Sequence, residues 1–279
     1  MASKRRSGNS TSRTNVLAII GILLAVALIV AGLWWDKQRT AVAVKGNPNG
    51  SSQAAFTNWE KDEPSAAPLR PALDKLARDG EPAIILVIGD STGNNASEWV
   101  YLLGDRLVAQ TGRPVTIRPW SDEDTAYGQD VSTPGSGAPI TILNYSAPGR
   151  GPDYALENFN KAATGRPDLA IINHGHNTSG PDLDNALGRI ALRLTTQWDQ
   201  PPAIMATIQN PRTDNTVQSE AAIRAARNFG DRRPDVTMID VAAAFEKQGT
   251  EALLGDGVHP NAAGQQVWTE TVAQALGIE

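Results

Sequence analysis

Six short apolar runs alternate with longer segments of helical period between residues 83 and 276, and this alternation constrains the fold more than any other property of the chain. The runs cover residues 83–88, 115–119, 140–144, 169–173, 203–208 and 236–239. All are of strand length. The first, fourth and fifth are the most apolar, as strands buried on both faces are. Apolar residues recur at helical spacing in 97–110, 154–161, 183–197, 219–228 and 262–276, which predicts a helix for each. Strand and helix in turn imply an α/β domain: a mostly parallel sheet with helices on both faces and right-handed connections. The domain is expected over residues 81–279, long enough to bury a full core, with no second domain or internal repeat.

The segment before it reads differently. Residues 16–35 carry no charge and end in the pair Trp34-Trp35. A helix needs about 20 apolar residues to cross the hydrocarbon core of a bilayer, against about 7–15 in the apolar part of a cleavable signal peptide, so a membrane anchor is expected here. Lys4, Arg5, Arg6 and Arg13 precede it without an acidic residue. That bias favours residues 1–15 as a cytoplasmic basic tail and puts everything after the tryptophans outside the cytoplasm. Ala41-Val42-Ala43 fits the small-residue rule for cleavage, and a secreted form is the alternative. Residues 36–80 are rich in Gly, Ser, Asn, Pro and Ala without a sustained apolar period and read as a flexible linker, within which 71–77 has the spacing of a short helix.

With no cysteine in the chain, neither a disulfide nor a zinc–thiolate site is possible. The net charge of -5, without a basic patch in the folded part, argues against nucleic acid as a partner. His174 and His176 form a His-x-His pair at a strand end, but only His259 and scattered carboxylates are left to complete a zinc site that needs roughly three ligands. No metal or cofactor is expected.

Three short motifs, far apart in sequence, carry the residue types of a hydrolytic site: Gly89-Asp90-Ser91, Gly175-His176-Asn177 and Asp256-Gly257-Val258-His259. Ser91 closes the first apolar run, so its hydroxyl is expected at the carboxyl edge of a parallel sheet, where α/β folds place ligands. A serine hydroxyl is a weak nucleophile until a base takes its proton, and His259 comes with a carboxylate, Asp256, three residues away. Each match alone has a plainer reading: Asp90 or Ser91 capping a turn, Asn177 capping the segment after a strand, Asp256 and His259 as a surface pair.

Together with Asn144-Tyr145-Ser146-Ala147-Pro148-Gly149, these motifs resemble, in order, the four sequence blocks of the SGNH or GDSL hydrolases. The resemblance spans essentially the whole expected domain. It implies a three-layer αβα, flavodoxin-like fold and serine esterase chemistry. It further implies Ser91 as nucleophile, Asp256 and His259 as its triad partners, and an oxyanion hole formed by the backbone N–H groups of Ser91 and Gly149 and the side-chain amide of Asn177. Pro260, Asn261 and Gly264 resemble the continuation of the last block, with Asn261 a helix cap. Thr178 is a departure, since many family members carry an acidic residue directly after the asparagine.

The expected substrate is a short acyl ester, acetyl foremost, on a small molecule or a glycan of the cell envelope. Thr92-Gly93-Asn94-Asn95, polar and glycine-rich, suits a hydroxylated substrate better than a long acyl chain. His176, Tyr145, Arg150, Trp120, Asn210 and Arg212 are candidate substrate contacts, or equally ordinary loop residues. Two rivals share the sequence evidence: an O-acetyltransferase of envelope glycans using the same acyl-enzyme, and a non-catalytic glycan-binding envelope protein.

Overall fold

A computed structural model of the protein describes residues 64–78 and 80–278. The expected basic tail, the apolar span over 16–35 and the linker up to residue 63 lie outside the described residues. Among the described residues, no helix is long and apolar enough to cross a membrane.

The elements are, in order, α1 (Leu69–Ala77), β1 (Ala83–Gly89), α2 (Trp99–Thr111), β2 (Val115–Ser121), β3 (Ala126–Tyr127), β4 (Val131–Thr133), β5 (Ile140–Ser146), α3 (Pro152–Glu157), α4 (Phe159–Ala162), β6 (Leu169–Asn173), α5 (Gly180–Thr196), β7 (Ala203–Ile208), α6 (Thr216–Arg232), β8 (Val236–Asp240), α7 (Val241–Gln248), a 3-10 turn (Thr250–Leu253) and α8 (Ala262–Leu276). All six expected strands are present. The sheet runs β3-β2-β5-β1-β6-β7-β8, with β4 also pairing with β2. Its core, β5-β1-β6-β7-β8, is parallel throughout and has the 2-1-3-4-5 winding of a flavodoxin-like fold. β2 intervenes in the chain between β1 and β5 and extends the parallel sheet outside β5, while β3 and β4 add to it antiparallel.

This winding sets the site. The chain goes from β1 to β5 on one side and returns to β6 on the other, so strand order reverses at β1 and the loops beyond β1, β5 and β6 flank a crevice at the carboxyl edge. In register, the last residue of β1, Gly89, lies level with Ser146 of β5 and Asn173 of β6.

Successive side chains of β1 point to opposite faces, as strand geometry requires. Ile85 and Val87 pack with Trp99, Leu103, Phe245 and Trp268 from α2, α7 and α8. Leu86 and Ile88 pack with Phe159, Leu183, Leu187 and Phe229 from α4, α5 and α6. Two apolar layers, one on each face of the sheet, make the αβα sandwich.

Several elements depart from the sequence expectation. The helix expected over 154–161 is two short helices divided at Asn158, whose backbone (φ -102°, ψ 8°) leaves the helical region. α7 follows β8 with no Gly or Pro between them; Asp240, the last residue of the strand, caps the helix by accepting the Ala243 N–H at 2.8 Å. β3 and β4 are two and three residues long and hold no buried side chain, so they lack an apolar period to read.

The packed unit also begins earlier than residue 81. Ala72 and Leu76 of α1 are buried in the core, the Ala66 N–H donates to Asp235 Oδ2 at 2.8 Å, and Lys75 pairs with Asp168 at 2.8 Å. Arg113, fully buried, donates to the carbonyls of Lys75 (2.7 Å), Leu76 (3.1 Å) and Arg78 (2.8 Å) at the end of α1, and to those of Glu81 (2.7 Å) and Ala138 (2.7 Å). A guanidinium at a helix C-terminus neutralises its partial negative charge and satisfies its unpaired carbonyls. The clamp comes from a residue far along the chain, which is why residues 64–80 resemble linker when read locally.

Candidate active site

β1 delivers Ser91 two residues beyond its end, and the loop before α8 brings His259 to it. Ser91 Oγ lies 2.9 Å from His259 Nε2, and His259 Nδ1 lies 2.8 Å from Asp256 Oδ2. Asp256 also folds its own loop, because Oδ1 accepts the N–H groups of Val258 (3.0 Å) and His259 (2.7 Å). The same carboxylate thus shapes the turn and orients the ring. Chiefly through the His259 N–H, these bonds hold Asp256 well below the usual carboxylate range. The loop is anchored by Gly255 N–H to the His259 carbonyl (2.8 Å) and by Asn261, whose Oδ1 accepts the Ala263 and Gly264 N–H groups at the start of α8. With Asp256 accepting at Nδ1, the ring carries its proton there and Nε2 is free to accept from the Ser91 hydroxyl. The pair is open to solvent, with side-chain exposures of 59% for Asp256 and 41% for His259.

The expected oxyanion residues follow the two strands that flank β1. Gly149 (φ +70°) lies beyond β5 and Asn177 beyond β6, both exposed. The Asn177 amide donates to the Arg150 carbonyl at 3.3 Å, tying the two loops together.

Beneath Ser91 is a buried polar layer. Asp90, with no exposed surface, accepts the Thr92 N–H (3.1 Å) and hydroxyl (2.8 Å) on Oδ1. Asn173 donates to Thr92 Oγ1 at 2.9 Å and accepts from Thr207 at 2.6 Å, while Asn144 donates to the Gly93 carbonyl at 2.8 Å and accepts from Ser146 at 2.7 Å. Gly89 is the last residue of the strand. A Cβ there would meet Ser146 Oγ at 3.0 Å and Asn173 Nδ2 at 3.2 Å, tighter than nine in ten Cβ contacts, so the two side chains would have to give way.

Four of the six candidate substrate contacts are interior. Tyr145 is buried, donates to the Tyr154 carbonyl at 3.0 Å and meets the Trp120 ring edge-on at 4.5 Å. Trp120, 8% exposed, donates its indole N–H to the Tyr154 hydroxyl at 3.0 Å. Both belong to the apolar layer on that face of the sheet. His176 is buried with Nε2 3.0 Å from the Asn210 carbonyl, and Asn210, also buried, donates to the Val258 carbonyl at 3.0 Å. Trp120 and Tyr145 thus pack within the sheet's apolar layer, while His176 and Asn210 tie loops together and, with Arg212, line a small cavity beside α5 and α6. Arg212 donates to the His176 carbonyl at 2.9 Å and pairs with Asp214 at 2.7 Å. Arg150 alone is well exposed, paired with Asp122 at 2.9 Å and lying over the Tyr154 ring at 5.1 Å. Among the described residues, no group of three or more His, Cys, Asp or Glu is placed to hold a metal ion.

No protein-family model and no curated protein matches the chain. Solved structures do. An acetylxylan esterase from Geobacillus stearothermophilus is 14% identical over 73% of this chain and 97% of its own, with a TM-score of 0.51. A carbohydrate esterase family 3 protein from Talaromyces cellulolyticus is 18% identical over 70% and 96%, at 0.51, and a GDSL-like lipase from Parabacteroides merdae is 14% identical over 73% and 99%, at 0.52. The chain shares their fold. At these identities the likeness concerns architecture, and the chemistry must be argued from the side chains of this chain.

Sequence reading missed two groups at this site. Gln209 bridges the loops from below, and Glu98, buried at the start of α2, accepts the Asn95 N–H at 2.7 Å and its side-chain amide at 3.1 Å. The Asn95-x-x-Glu98 spacing is a capping-box pattern and could have flagged the second. Burial raises the Glu98 carboxyl above its ordinary value.

Proposed function

We propose that this protein is a serine esterase acting on short acyl esters through an acyl-enzyme at Ser91. The observation that carries the reading is the hydrogen-bonded series Ser91–His259–Asp256, with both links under 3 Å. As the ester binds, His259 Nε2 takes the hydroxyl proton while Ser91 Oγ bonds to the carbonyl carbon, and the charge on the carbonyl oxygen is met by the N–H groups of Ser91 and Gly149 and the Asn177 amide. Collapse breaks the bond to the alcohol oxygen, which leaves with the proton from His259. Water then repeats the steps, giving up a proton to His259 and releasing the carboxylic acid.

An acetyl-type ester on a carbohydrate is the proposed substrate. The openness of Asp256 and His259 supports a bulky alcohol and water as acceptor, and two proteins of the same fold are named as esterases of acetylxylan and of carbohydrate. The apolar stretch at 16–35 supports a tether that holds the domain outside the cytoplasm, beside envelope glycans.

The test is hydrolysis of p-nitrophenyl acetate, butyrate and longer esters by the full-length chain, with Ser91→Ala and His259→Ala alongside. Short-chain turnover lost in both variants supports the reading. Acylation of Ser91 without release to water would turn it toward the acetyltransferase, and no reaction in a folded protein toward glycan binding. Membrane fractionation tests the tether: a soluble mature form beginning near Val44 would refute it.

A further inference from the structure

The loop after β7 belongs to none of the four motif blocks, yet it is bonded to three of them. Gln209 reaches Asp90 and Thr92 of the first and His176 of the third, Asn210 holds the Val258 carbonyl of the fourth, and the Thr213 N–H donates to the Gly257 carbonyl at 2.8 Å. Gln209 is the junction. It is 4% exposed, and its Oε1 accepts the His176 N–H at 2.8 Å. That bond fixes which way the amide faces, because only the oxygen can accept. Nε2 is therefore turned to Asp90 Oδ2 at 3.1 Å, with the Asn173 carbonyl at 3.2 Å and Thr92 Oγ1 and Asn173 Oδ1 at 3.3 Å. The fit is close: a Cβ on Gly175 would come within 2.7 Å of Gln209 Oε1.

One side chain thus bonds the residue before Ser91 and the residue before Asn177. We propose that Gln209 is a positioning residue for catalysis, holding the Ser91 turn and the Asn177 loop in register so that hydroxyl and oxyanion donors converge on one carbonyl carbon. This inference rests on the serine-esterase reading. The role needs a donor toward a carboxyl group and an acceptor toward an N–H in one side chain, which an amide supplies and an ionised carboxylate or a thioether does not. Misplacement by about 1 Å from a residue that never touches substrate can cost about 100-fold in rate.

The experiment compares full-length wild type, Ser91→Ala, Gln209→Met and Gln209→Glu for kcat and KM on p-nitrophenyl acetate across pH, for the rate of Ser91 labelling by a fluorophosphonate, and for thermal unfolding. Gln209→Met is expected to lower kcat and labelling about 10–100-fold with KM changed less than about threefold, since the substrate is untouched. Gln209→Glu keeps the shape and the acceptor but donates only when protonated, a state favoured by burial and by Asp90. Its activity relative to wild type should therefore rise as pH falls. Unchanged kcat and labelling in Gln209→Met overturn the proposal. So does a Gln209→Glu to wild-type ratio independent of pH, which marks a purely structural residue and stays readable if Gln209→Met fails to fold. Wild type as unreactive as Ser91→Ala toward both ester and probe defeats the esterase reading and this inference with it. Labelled wild type beside equally labelled Gln209→Met defeats this inference alone.

Discussion

Ser91 Oγ and His259 Nε2 stand 2.9 Å apart although 168 positions separate them in the chain, so the contact is the product of the whole sheet from β1 to β8. Removing either partner should leave the sheet intact, since both are at least partly exposed at its edge. Ser91→Ala and His259→Ala should each lower kcat by at least about 1000-fold, and the double variant scarcely further, because the two act as a unit. Steady-state kinetics with thermal unfolding checks this; strongly additive losses would count against a shared step.

Asp256→Asn should cost about 10,000-fold in kcat, the scale seen when the orienting aspartate of a serine triad becomes an amide and the imidazole tautomer inverts. The loop turn should weaken less, since Asn Oδ1 can still accept the Val258 and His259 N–H groups. As Asp256 titrates far below neutrality, it should not set an acid limb of kcat/KM above about pH 4. A limb there that vanished in the asparagine variant would show otherwise.

Asn177→Ala should lower kcat about 100–1000-fold, the usual loss for one oxyanion donor, with little change in melting temperature. Asn177 is exposed and its amide has, among the described residues, a single partner, the Arg150 carbonyl at 3.3 Å. A large loss of stability with modest loss of rate would instead assign Asn177 to tying the two loops.

The strands and most helices were legible because strand burial on both faces leaves an apolar run and a helix facing the sheet leaves a 3.6-residue period. α7 was not, because its start is marked only by the Asp240 cap, with no break in apolar character after β8. Ser91, Asp256 and His259 could be singled out because the chemistry admits few residue types and short motifs carry them. Gln209 could not: its meaning depends on Asp90, 119 positions away. Trp120 and Tyr145 read as substrate contacts or as ordinary loop residues, yet Tyr145 shares the inward face of β5 with Leu143, a period of two that points to core.

Arg113 makes a prediction about stability alone. Arg113→Met keeps the apolar stem but takes the donor from the carbonyls of Lys75, Leu76, Arg78 and Glu81; that of Leu76 is buried and the others are partly buried, and a buried unpaired acceptor costs about 1–3 kcal/mol. The variant should lose roughly 3 kcal/mol or more, and α1 should become open to proteolysis and fast hydrogen exchange while β1 stays protected. Uniform loss of protection across the domain would mean that α1 is not a separable unit.

The buried histidines make the domain sensitive to acid. Burial, as the main cause, holds His174 and His176 below the ordinary imidazole value of about 6.5; Asp90 opposes the effect at both, and Arg212 and His259 reinforce it at His176. The folded state therefore binds fewer protons than the unfolded chain. The stability these groups contribute is complete above about pH 6.5 and is lost as pH falls from there through their lower folded-state values. Glu98, raised by burial, acts with the opposite sign, its contribution fading as pH rises out of the carboxylate range. Melting temperature should fall between pH 7 and pH 5 in the wild type, and less steeply in His174→Leu, which removes one titrating ring that has no hydrogen-bond partner among the described residues. Parallel slopes in the two proteins would show that His174 does not couple folding to protons.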